Sequence, residues 1–405
     1  MLSYAEAARL VREHAASLSQ QIRAAEAVDL LGSLGRTLAA PVIADRDQPP
    51  FPRSTRDGFA CRAADLASPL LVVGQLRAGE VWSGPELQPG QAIEIMTGAP
   101  VPSGADCILM IEHAAVDGPR IRTERKLDPG ENIIAAGSEA RMGATLIPAG
   151  TRIGAQHIAA AAACGCAELQ VYTRPRVAIL ATGDELVAID AVPLIHQIRN
   201  SNSYSTAAQI LAHGGQPVLF PIVRDDLPTM EDAIERALDS DLLILSGGVS
   251  MGKYDFVEQA LLNLRAEFFF TGVRIQPGRP AVFGRLPSTS GHRYFFGLPG
   301  NPVSTLVTFA LFATPLLAGL SGQPVSAMSP RFAEAHLATD LKGKPGLTRF
   351  LPAHLESDAS RALVNPIPWQ GSGDQTAAAQ TNCFLVVPEE SGDLSTGNRV
   401  SILLL

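Results

Sequence analysis

The chain has 405 residues, of which 46% are hydrophobic and 18% are charged, and its formal net charge is −8. At about 150 residues per domain this length predicts two to four domains, and the composition excludes disorder as the main state. The acidic balance disfavours a nucleic-acid-binding protein. Small anionic ligands stay possible, because they require only a local cationic pocket.

Two features of the sequence bear on the cellular compartment. The five cysteines are scattered and form no CxxC pair, which predicts reduced thiols in a cytoplasmic protein rather than disulfides or a zinc site. Residues 294–330 carry no formal charge, but their apolar centre, 306–320, has only 15 residues. Because a membrane span requires about 20 residues, we predict a buried helix packed on a sheet and no membrane association.

The first 174 residues change character twice. Residues 1–45 have apolar residues at three- and four-residue steps, and we predict that they are helical up to Pro41. Residues 46–141 are rich in Gly, Pro and short β-like runs, and residues 142–174 are again rich in Ala. This order predicts a β-rich module, 46–141, inserted into a first domain made of 1–45 and 142–174.

The rest of the chain alternates strands and helices and then becomes β-rich. We predict strands at 176–181, 217–223, 241–246, 268–270, 280–284 and 294–298, and helices at 197–213, 228–238, 255–264 and 302–320. Within 175–328 this alternation predicts an α/β domain with a doubly wound, mostly parallel sheet, in which ligands bind beyond the carboxyl ends of the strands. Residues 329–405 contain short β-like runs between turn residues and predict a small β barrel.

Three loops that follow predicted strands of the α/β segment contain glycines and polar residues. Their sequences are TGDEL at 182–186, GGVSMGKYD at 247–255 and PGNPVS at 299–304. Glycines let backbone N–H groups approach an anion, and Asp184, Glu185 and Asp255 place carboxylates at the same rim. Such oxygen ligands beside phosphate-binding amides suit Mg²⁺. Carboxylates that only cap helices are the alternative.

One of these loops nearly matches the phosphate loop of nucleoside triphosphatases. Residues 247–253 read GGVSMGK, but the next residue is Tyr254, where that motif has a Mg²⁺-binding Ser or Thr. Asp255 follows, and its charge repels phosphate unless a cation intervenes. We therefore disfavour a triphosphatase.

Two loops of the β-rich module also contain polar groups. Residues 51–60 read FPRSTRDGFA, and residues 96–100 read MTGAP. Asp57 with Arg53 and Arg56 forms either part of a site or a solvated ion-pair loop, and the sequence leaves both open. Thr97 places a hydroxyl at the end of a predicted strand.

In their order along the chain, the motifs resemble the MoeA family of molybdopterin molybdenumtransferases, which is related to the E domain of gephyrin. The matching pieces are SxxDGFA at 54–60, MTGAP at 96–100, TGDEL at 182–186, QIxxSN at 197–202, RDD at 224–226, SGGVSMGxYD at 246–255, PGRP at 277–280, LPGNPVS at 298–304 and a C-terminal motif that begins with GSGD at 371–374 and runs through Asn382. The resemblance covers essentially the whole chain.

The resemblance implies a reaction and an assembly. Adenylylated molybdopterin and molybdate react with the help of Mg²⁺, AMP is released, and molybdenum is bound by the dithiolene sulfurs. The family fold implies a homodimer of four-domain subunits: domain I (1–45 and 142–174, dimerising), domain II (46–141), domain III (175–328, MogA-like) and domain IV (329–405). In that family, the active cleft lies between domain III and domain II of the other subunit.

The resemblance also implies the roles of individual residues. Asp57, Thr97, Glu185 and Asp255 are the expected catalytic residues, and Glu185, Asp225 and Asp255 are the expected metal ligands. The expected substrate-binding residues are Arg53, Ser54, Gly247, Gly248, Ser250, Gly252, Arg279, Pro299, Gly300, Asn301 and Pro302. The sequence departs from the family pattern at Gln276, where a basic residue is common, and at Arg279, where Lys is common.

Two other functions stay open. One is a molybdopterin adenylyltransferase, which shares the domain III fold, although about 250 additional residues disfavour it. The other is a non-catalytic pterin-binding scaffold, which the complete set of acidic residues disfavours. A molybdopterin adenylyltransferase and cofactor-delivery proteins are the expected protein partners. The sequence does not distinguish molybdate from tungstate.

Overall fold

The computed structural model describes residues 1–21, 23–247, 256–289, 291–358 and 360–405, and the chain divides into two compact units. The first unit comprises Met1–Ala39, Gly150–Gly154 and Glu168–Leu405, and the second comprises Ala40–Ala149 and Ala155–Ala167. The chain therefore leaves the first unit and later returns to it. The boundaries of the four expected domains stay a prediction, because this division separates only two units.

The helices and strands of the described residues are numbered in chain order. The helices are α1 (Tyr4–Ser19), α2 (Ala155–Ala163), α3 (Asn202–Ala212), α4 (Leu227–Ala237), α5 (Phe256–Asn263), α6 (Pro302–Thr308), α7 (Thr314–Leu320) and α8 (Gln375–Gln380). The strands before the α/β segment are β1 (Ala25–Asp29), β2 (Val42–Ile43), β3 (Arg53–Ser54), β4 (Gly58–Cys61), β5 (Leu70–Leu76), β6 (Gln91–Ile95), β7 (Cys107–Met110), β8 (Ala115–Asp117), β9 (Arg120–Arg122), β10 (Ile133–Ile134), β11 (Thr145–Ile147) and β12 (Glu168–Tyr172). The remaining strands are β13 (Arg176–Ala181), β14 (Leu186–Val187), β15 (Ile198–Arg199), β16 (Gln216–Leu219), β17 (Leu242–Ser246), β18 (Glu267–Thr271), β19 (Ile275–Gln276), β20 (Val282–Ser288), β21 (Gly291–Leu298), β22 (Phe332–Leu337), β23 (Thr348–Ser357), β24 (Ala362–Pro366), β25 (Cys383–Val387) and β26 (Arg399–Leu404).

Helix α1 is shorter than the sequence predicts. It begins with a capping box, in which the backbone N–H of Glu6 donates to Ser3 Oγ and the backbone N–H of Ser3 donates to a carboxylate oxygen of Glu6. It ends at Ser19, so the prediction of helix up to Pro41 is wrong for the described residues 20–21 and 23–41. Strand β1 pairs antiparallel with β12, and the N–H of Gly32 donates to the Asp29 carboxylate in the turn that follows. Pairing with a distant strand has overridden the local helical periodicity.

The central sheet of the first unit has the strand order β16-β13-β17-β21-β20-β18. Strands β16, β13, β17 and β21 are parallel, and β20 and β18 are antiparallel to their neighbours. Buried residues of α1, α3, α6 and α7 cover one face, and those of α4 and α5 cover the other. The predicted doubly wound, mostly parallel sheet is confirmed. The strand order reverses between β13 and β17, where ligands bind in open α/β sheets.

Two predicted elements beside this sheet have different bounds. The strand predicted at 217–223 ends at Leu219. It does not continue to 223 because Pro221 lacks the backbone N–H that a further hydrogen bond of the sheet would require. The helix predicted at 197–213 begins at Asn202, because Ile198 and Arg199 form β15 and pair with β14.

The apolar segment 302–320 is a core element. It consists of α6, a π-helical turn (Phe309–Ala313) and α7. Pro315 has no backbone N–H to donate to the carbonyl of Leu311. The ordinary helical hydrogen-bond pattern is therefore interrupted at this point, which agrees with the π turn directly before it. Its length and its mean hydropathy of 1.9 would allow it to cross a membrane, but 83% of it is buried in the protein. The prediction of a buried helix packed on a sheet is confirmed.

The C-terminal segment closes into the predicted small β barrel. Strands β23, β24, β22, β26 and β25 pair in that order, and β25 pairs again with β23. Strand β19 adds to the edge of β23 in parallel. Phe350, Phe384 and Leu403 join the core of the central sheet, so the barrel packs against the α/β part of the same unit.

The second unit is β-rich, as predicted. Its main sheet has the order β7-β4-β6-β5-β9-β8, with apolar clusters on both faces. Cys61 and Cys107 are register partners on β4 and β7 with their sulfurs 3.6 Å apart. All five cysteines are free thiols, in agreement with the sequence prediction.

Candidate functional site

A cavity of about 530 Å³ lies at the carboxyl ends of β13, β17 and β21. Residues after all three strands line it, so the described parts of the three loops predicted from the sequence meet at one place. The N-terminus of α3 and the segment before α8 complete the wall. The lining includes Thr182, Glu185, Ser201, Asn202, Ser246, Gly247, Gly300, Asn301, Pro302, Gly373 and Gln375.

The carboxylate of this cavity belongs to Glu185. The loop after β13 turns with a hydrogen bond from the N–H of Leu186 to the carbonyl of Gly183, and the N–H of Ile198 donates to the carbonyl of Glu185 at 2.9 Å. A Cβ on Gly183 would lie 2.5 Å from a carboxylate oxygen of Glu185. The Glu185 side chain therefore folds back over the loop and stays exposed in the cavity.

Asp225 lies behind this loop, at the end of the segment that follows β16. The hydroxyl of Thr182 donates to the Asp225 carboxylate, and Thr182 itself lines the cavity. Asp225 is not among the lining residues. Within the described parts of the chain no group of three His, Cys, Asp or Glu side chains is arranged to hold a metal ion. Glu185 and Asp225 supply two carboxylates at this edge, and Asp255, the third expected ligand, lies outside the described residues.

The three strand-end loops are joined by close contacts. Asn202 donates from Nδ2 to the carbonyl of Gly300 at 2.6 Å and to the Ser246 hydroxyl at 3.4 Å. Gly247 has φ +94°, and a Cβ there would lie 2.5 Å from the carbonyl oxygen of Thr182. Glycine is therefore required at 247, both for its backbone conformation and for the approach of the neighbouring loop.

A second cavity, of about 490 Å³, adjoins the first and shares Asn301 with it. Its polar lining comprises two cationic side chains, Arg279 and Lys344, and two hydroxyl groups, Ser304 and Ser372. Asn301 Nδ2 donates to Ser372 Oγ at 2.8 Å, so these two side chains stand between the cavities. Gln276 and Pro299 also line this second cavity. The arrangement suits a small oxyanion, because cations and hydroxyl donors converge with no carboxylate in the lining.

The predicted residues of the second unit lie in a group of polar contacts within that unit. The backbone N–H and the hydroxyl of Thr97 both donate to Asp57 Oδ1, at 2.6 and 2.7 Å. These two hydrogen bonds, the backbone one first, lower the pKa of the Asp57 carboxyl below its usual range. Arg53 pairs with Glu139 at 2.9 Å, and the Ser54 hydroxyl donates to the carbonyl of Arg56. Arg53 therefore forms its ion pair with Glu139 and not with Asp57.

The structure brings together part of the predicted site. Glu185, Gly247, Gly300, Asn301 and Pro302 line the first cavity, and Arg279, Pro299 and Asn301 line the second. Four predicted residues, Gly248, Ser250, Gly252 and Asp255, lie outside the described residues, as do Lys253 and Tyr254 of the near-match to a phosphate loop.

Sequence reasoning did not assign several lining residues to the site. Asn202, Ser304 and Ser372 each fall in a recognised motif, QIxxSN, LPGNPVS and GSGD, so a signal existed. Gln375 falls in the C-terminal motif at 371–382, so a signal existed for it as well. Lys344 had none, because only the tertiary fold places it here.

Three segments of the chain match models of known protein families. Residues 178–319 match the family model of a probable molybdopterin binding domain. Residues 2–165 match the MoeA N-terminal region (domain I and II), and residues 334–405 match the MoeA C-terminal region (domain IV). The chain is therefore built from the three regions that characterise MoeA proteins.

Whole-chain relatives agree with this composition. A molybdopterin molybdenumtransferase from Nostoc sp. is 36% identical over 94% of this chain and 88% of its own length, and one from Bacillus subtilis is 34% identical over 94% and 90%. A crystal structure of a molybdopterin biosynthesis MoeA protein from Pyrococcus horikoshii covers all of both chains with a TM-score of 0.77 and 27% identity. The chain belongs to the MoeA family.

Proposed function

We propose that this protein inserts molybdenum into molybdopterin during molybdenum cofactor biosynthesis. Its substrates are molybdate and adenylylated molybdopterin. The two dithiolene sulfurs become bound to molybdenum in place of oxygen ligands, which leave as water. Another water molecule cleaves the phosphoanhydride, so that the adenylyl group leaves as AMP. Family membership supports this proposal, since the curated relatives carry the name of that transferase.

The observation that carries the proposal is the adjacency of the two cavities. The larger has a volume that suits a pterin and a mixed lining, in which Glu185, Ser201 and Asn202 are among the polar side chains. Its neighbour offers Arg279, Lys344 and two hydroxyl groups to a tetrahedral dianion such as molybdate. Because Asn301 lines both cavities and its amide donates to Ser372 of the second, an oxyanion and the dithiolene of a bound pterin would lie near each other, as transfer requires.

Magnesium is part of the proposal. Mg²⁺ usually takes one or two carboxylates together with substrate phosphates, and the carboxylates of Glu185 and Asp225 fit that donor set, with Asp255 as the third expected ligand. The ion would neutralise charge on the phosphoanhydride of the substrate. The chain itself supplies Glu185 in the cavity and, through the Thr182 hydroxyl, holds the Asp225 carboxylate in one orientation.

The remaining expectations belong to the same proposal. Asp57 and Thr97 would act as a pair, in which two hydrogen bonds keep the Asp57 carboxylate ionised and oriented, and Arg53 and Ser54 would contact substrate. The protein would work as a homodimer in the cytoplasm. It would receive its substrate from a molybdopterin adenylyltransferase and pass its product to cofactor-delivery proteins.

Release of AMP and formation of molybdenum-loaded pterin, measured together, test this proposal. Glu185→Gln is nearly isosteric, and we expect it to slow AMP release about 10²-fold or more, the scale of one lost transition-state interaction. Asp190→Asn, an exposed position in the next loop, after β14, and outside the cavity lining, is the matched control and should retain the wild-type rate. Equal rates for wild type and Glu185→Gln would refute the role of Glu185. Formation of adenylylated pterin from ATP and molybdopterin would instead support an adenylyltransferase.

A further inference from the structure

A mainly polar cavity of about 610 Å³ lies at the amino ends of the parallel strands of the central sheet. Pro175 and Asp241, which directly precede β13 and β17, line it together with the first residues of β21. The two ends of β21, Gly291 and Leu298, are roughly 23 Å apart at about 3.3 Å per residue, and both cavities of the candidate site adjoin the loop that follows Leu298. This further cavity, which we call the amino-edge cavity, is therefore separate from them.

Three arginines from different elements line the amino-edge cavity. Arg23 follows α1, Arg285 lies on β20 and Arg293 lies on β21. Among the described lining residues, Asp241 alone carries a carboxylate, and its Oδ2 already accepts a hydrogen bond of 2.7 Å from the backbone N–H of Arg176. The cavity is therefore locally cationic in a chain whose net charge is −8.

Arg23 caps two helix ends at this cavity. It donates to carbonyl oxygens at the C-termini of α1 and α7, those of Leu18, Gly319 and Leu320, whose partial negative charge would otherwise oppose an anion. Burial lowers the pKa of the Arg23 guanidinium, and the charge of Asp241 opposes this. An anion in the cavity would compensate this partly buried charge, which is costly to leave unpaired.

Arg285 is already held in one orientation. It forms an ion pair of 2.6 Å with Glu267, which is not part of the cavity lining, and its guanidinium lies 5.7 Å from the centre of the Phe269 ring. Because these contacts fix the side chain, Arg285 loses little conformational freedom when an anion binds. Neutral hydrogen-bond donors also line the cavity, among them the Gln21 amide and the Thr173 hydroxyl.

We propose that the amino-edge cavity binds a small organic anion that carries two or more phosphate or carboxylate groups. Arginine donates paired N–H groups to either kind of oxyanion, and three arginines can bind more than one such group. The volume of the cavity lies within the range of about 300–1,000 Å³ that small-molecule sites have, and it exceeds what one inorganic phosphate requires. The site is additional to the substrate site and does not depend on the proposed function.

Calorimetric titration of the full chain with pyrophosphate and with citrate tests this proposal. We expect at least one of the two anions to bind the wild type, and Arg293→Ala to weaken that binding about tenfold or more, the scale of a hydrogen bond to a charged group. Arg236→Ala is the matched control, because Arg236 lies on α4, is exposed and is not part of the cavity lining. It should bind the anion as the wild type does.

Two further variants keep the test decisive. Gln21→Glu places a carboxylate at an exposed position of the lining, so it should also weaken binding, and it replaces Arg293→Ala if that variant does not fold. Arg279→Ala removes a cation from the oxyanion cavity of the candidate site and should leave binding at the amino-edge cavity unchanged.

The preferred anion identifies the ligand class. Tighter binding of pyrophosphate indicates a phosphorylated ligand, and tighter binding of citrate indicates a polycarboxylate. The proposal is overturned if neither anion binds, or if folded Arg293→Ala and Gln21→Glu variants bind as the wild type does. Binding that Arg279→Ala abolishes and Arg293→Ala leaves unchanged would place the anion in the substrate site and would also overturn it.

Discussion

Single residues in the cavity of the first unit and in the polar cluster of the second unit are each fixed by short contacts that only particular side chains allow. The Thr182 hydroxyl holds Asp225, the Asn202 amide joins two strand-end loops, and the two donors of Thr97 hold Asp57. Each contact links residues from different loops. The motifs recognised in the sequence are therefore parts of a hydrogen-bonded framework as well as candidate substrate contacts.

Gly247 provides a test of this framework at the residue scale. Gly247→Ala would place a methyl group 2.5 Å from the carbonyl oxygen of Thr182 at a φ of +94°, and we expect it to lower the unfolding free energy by about 1–3 kcal/mol. Gly300→Ala is the matched control, since its Cβ would meet its nearest atom at an ordinary 3.6 Å. Chemical denaturation of both variants checks this, and equal stability would show that the 247 position tolerates a side chain.

Helix α1 packs against α7 through small residues. Ala7, Val11 and Ala15 are fully buried on one face of α1, and a Cβ on Gly319 would lie 2.4 Å from the carbonyl oxygen of Ala15. The two helices are therefore as close as their backbones allow. The guanidinium of Arg23 adds to this contact, because it donates to the carbonyls of Leu18, Gly319 and Leu320 at the ends of both helices.

We predict that Gly319→Ala separates α1 from α7 and destabilises the protein by about 1–3 kcal/mol, the usual cost of overpacking a tight core. Thermal and denaturant unfolding measure the change. Gly392→Ala introduces the same methyl group where nothing lies within 4 Å and should have little effect. A Gly319→Ala variant as stable as the wild type would contradict the close helix contact.

The contact between α1 and the central sheet also predicts a pH dependence. His14 stacks on Phe269 with ring centroids 4.1 Å apart and lies 3.1 Å from the Tyr294 hydroxyl. Burial, and then the charge of Arg285, lower the pKa of His14 from its usual 6.5, although Glu267 and Glu13 oppose this. The folded protein therefore binds a proton at His14 less readily than the unfolded chain does.

The sign of the effect follows from that pKa direction. Stability from neutral His14 is fully present above the unfolded pKa near 6.5 and is lost as the pH falls through the lower folded pKa. Unfolding free energy should fall between pH 7.5 and 5.5, and by less in His14→Gln. Burial also lowers the pKa of His213, so His213→Gln should remove a further part of the slope. An unchanged slope in both variants would contradict this account.

At the scale of the whole molecule, local sequence patterns predicted the elements better than the contacts between them. Buried strands such as β13 and β17, and the helix at 302–320, were predictable because continuous apolar runs have few alternatives. Residues 25–29 were not, since β1 forms only by pairing with β12 about 140 residues later.

In the candidate site, too, residues on local elements were predictable and residues placed by distant contacts were not. Glu185 and Asn301 could be predicted because they follow strands whose carboxyl ends meet in a parallel sheet. Ser372 and Gln375 belong to a recognised motif, but Lys344 does not. It comes from a β barrel whose packing on the sheet depends on tertiary contacts such as that of Phe350. No local pattern encodes that arrangement.

The central claim is that molybdate and adenylylated molybdopterin react in adjoining cavities of this protein. The most direct measurement is the rate of AMP release from adenylylated molybdopterin, with Mg²⁺ present, as the molybdate concentration is raised. The account predicts a saturable increase, with one molybdenum atom bound to pterin for each AMP released. AMP release at the full rate without molybdate, or no release at any molybdate concentration, would contradict it.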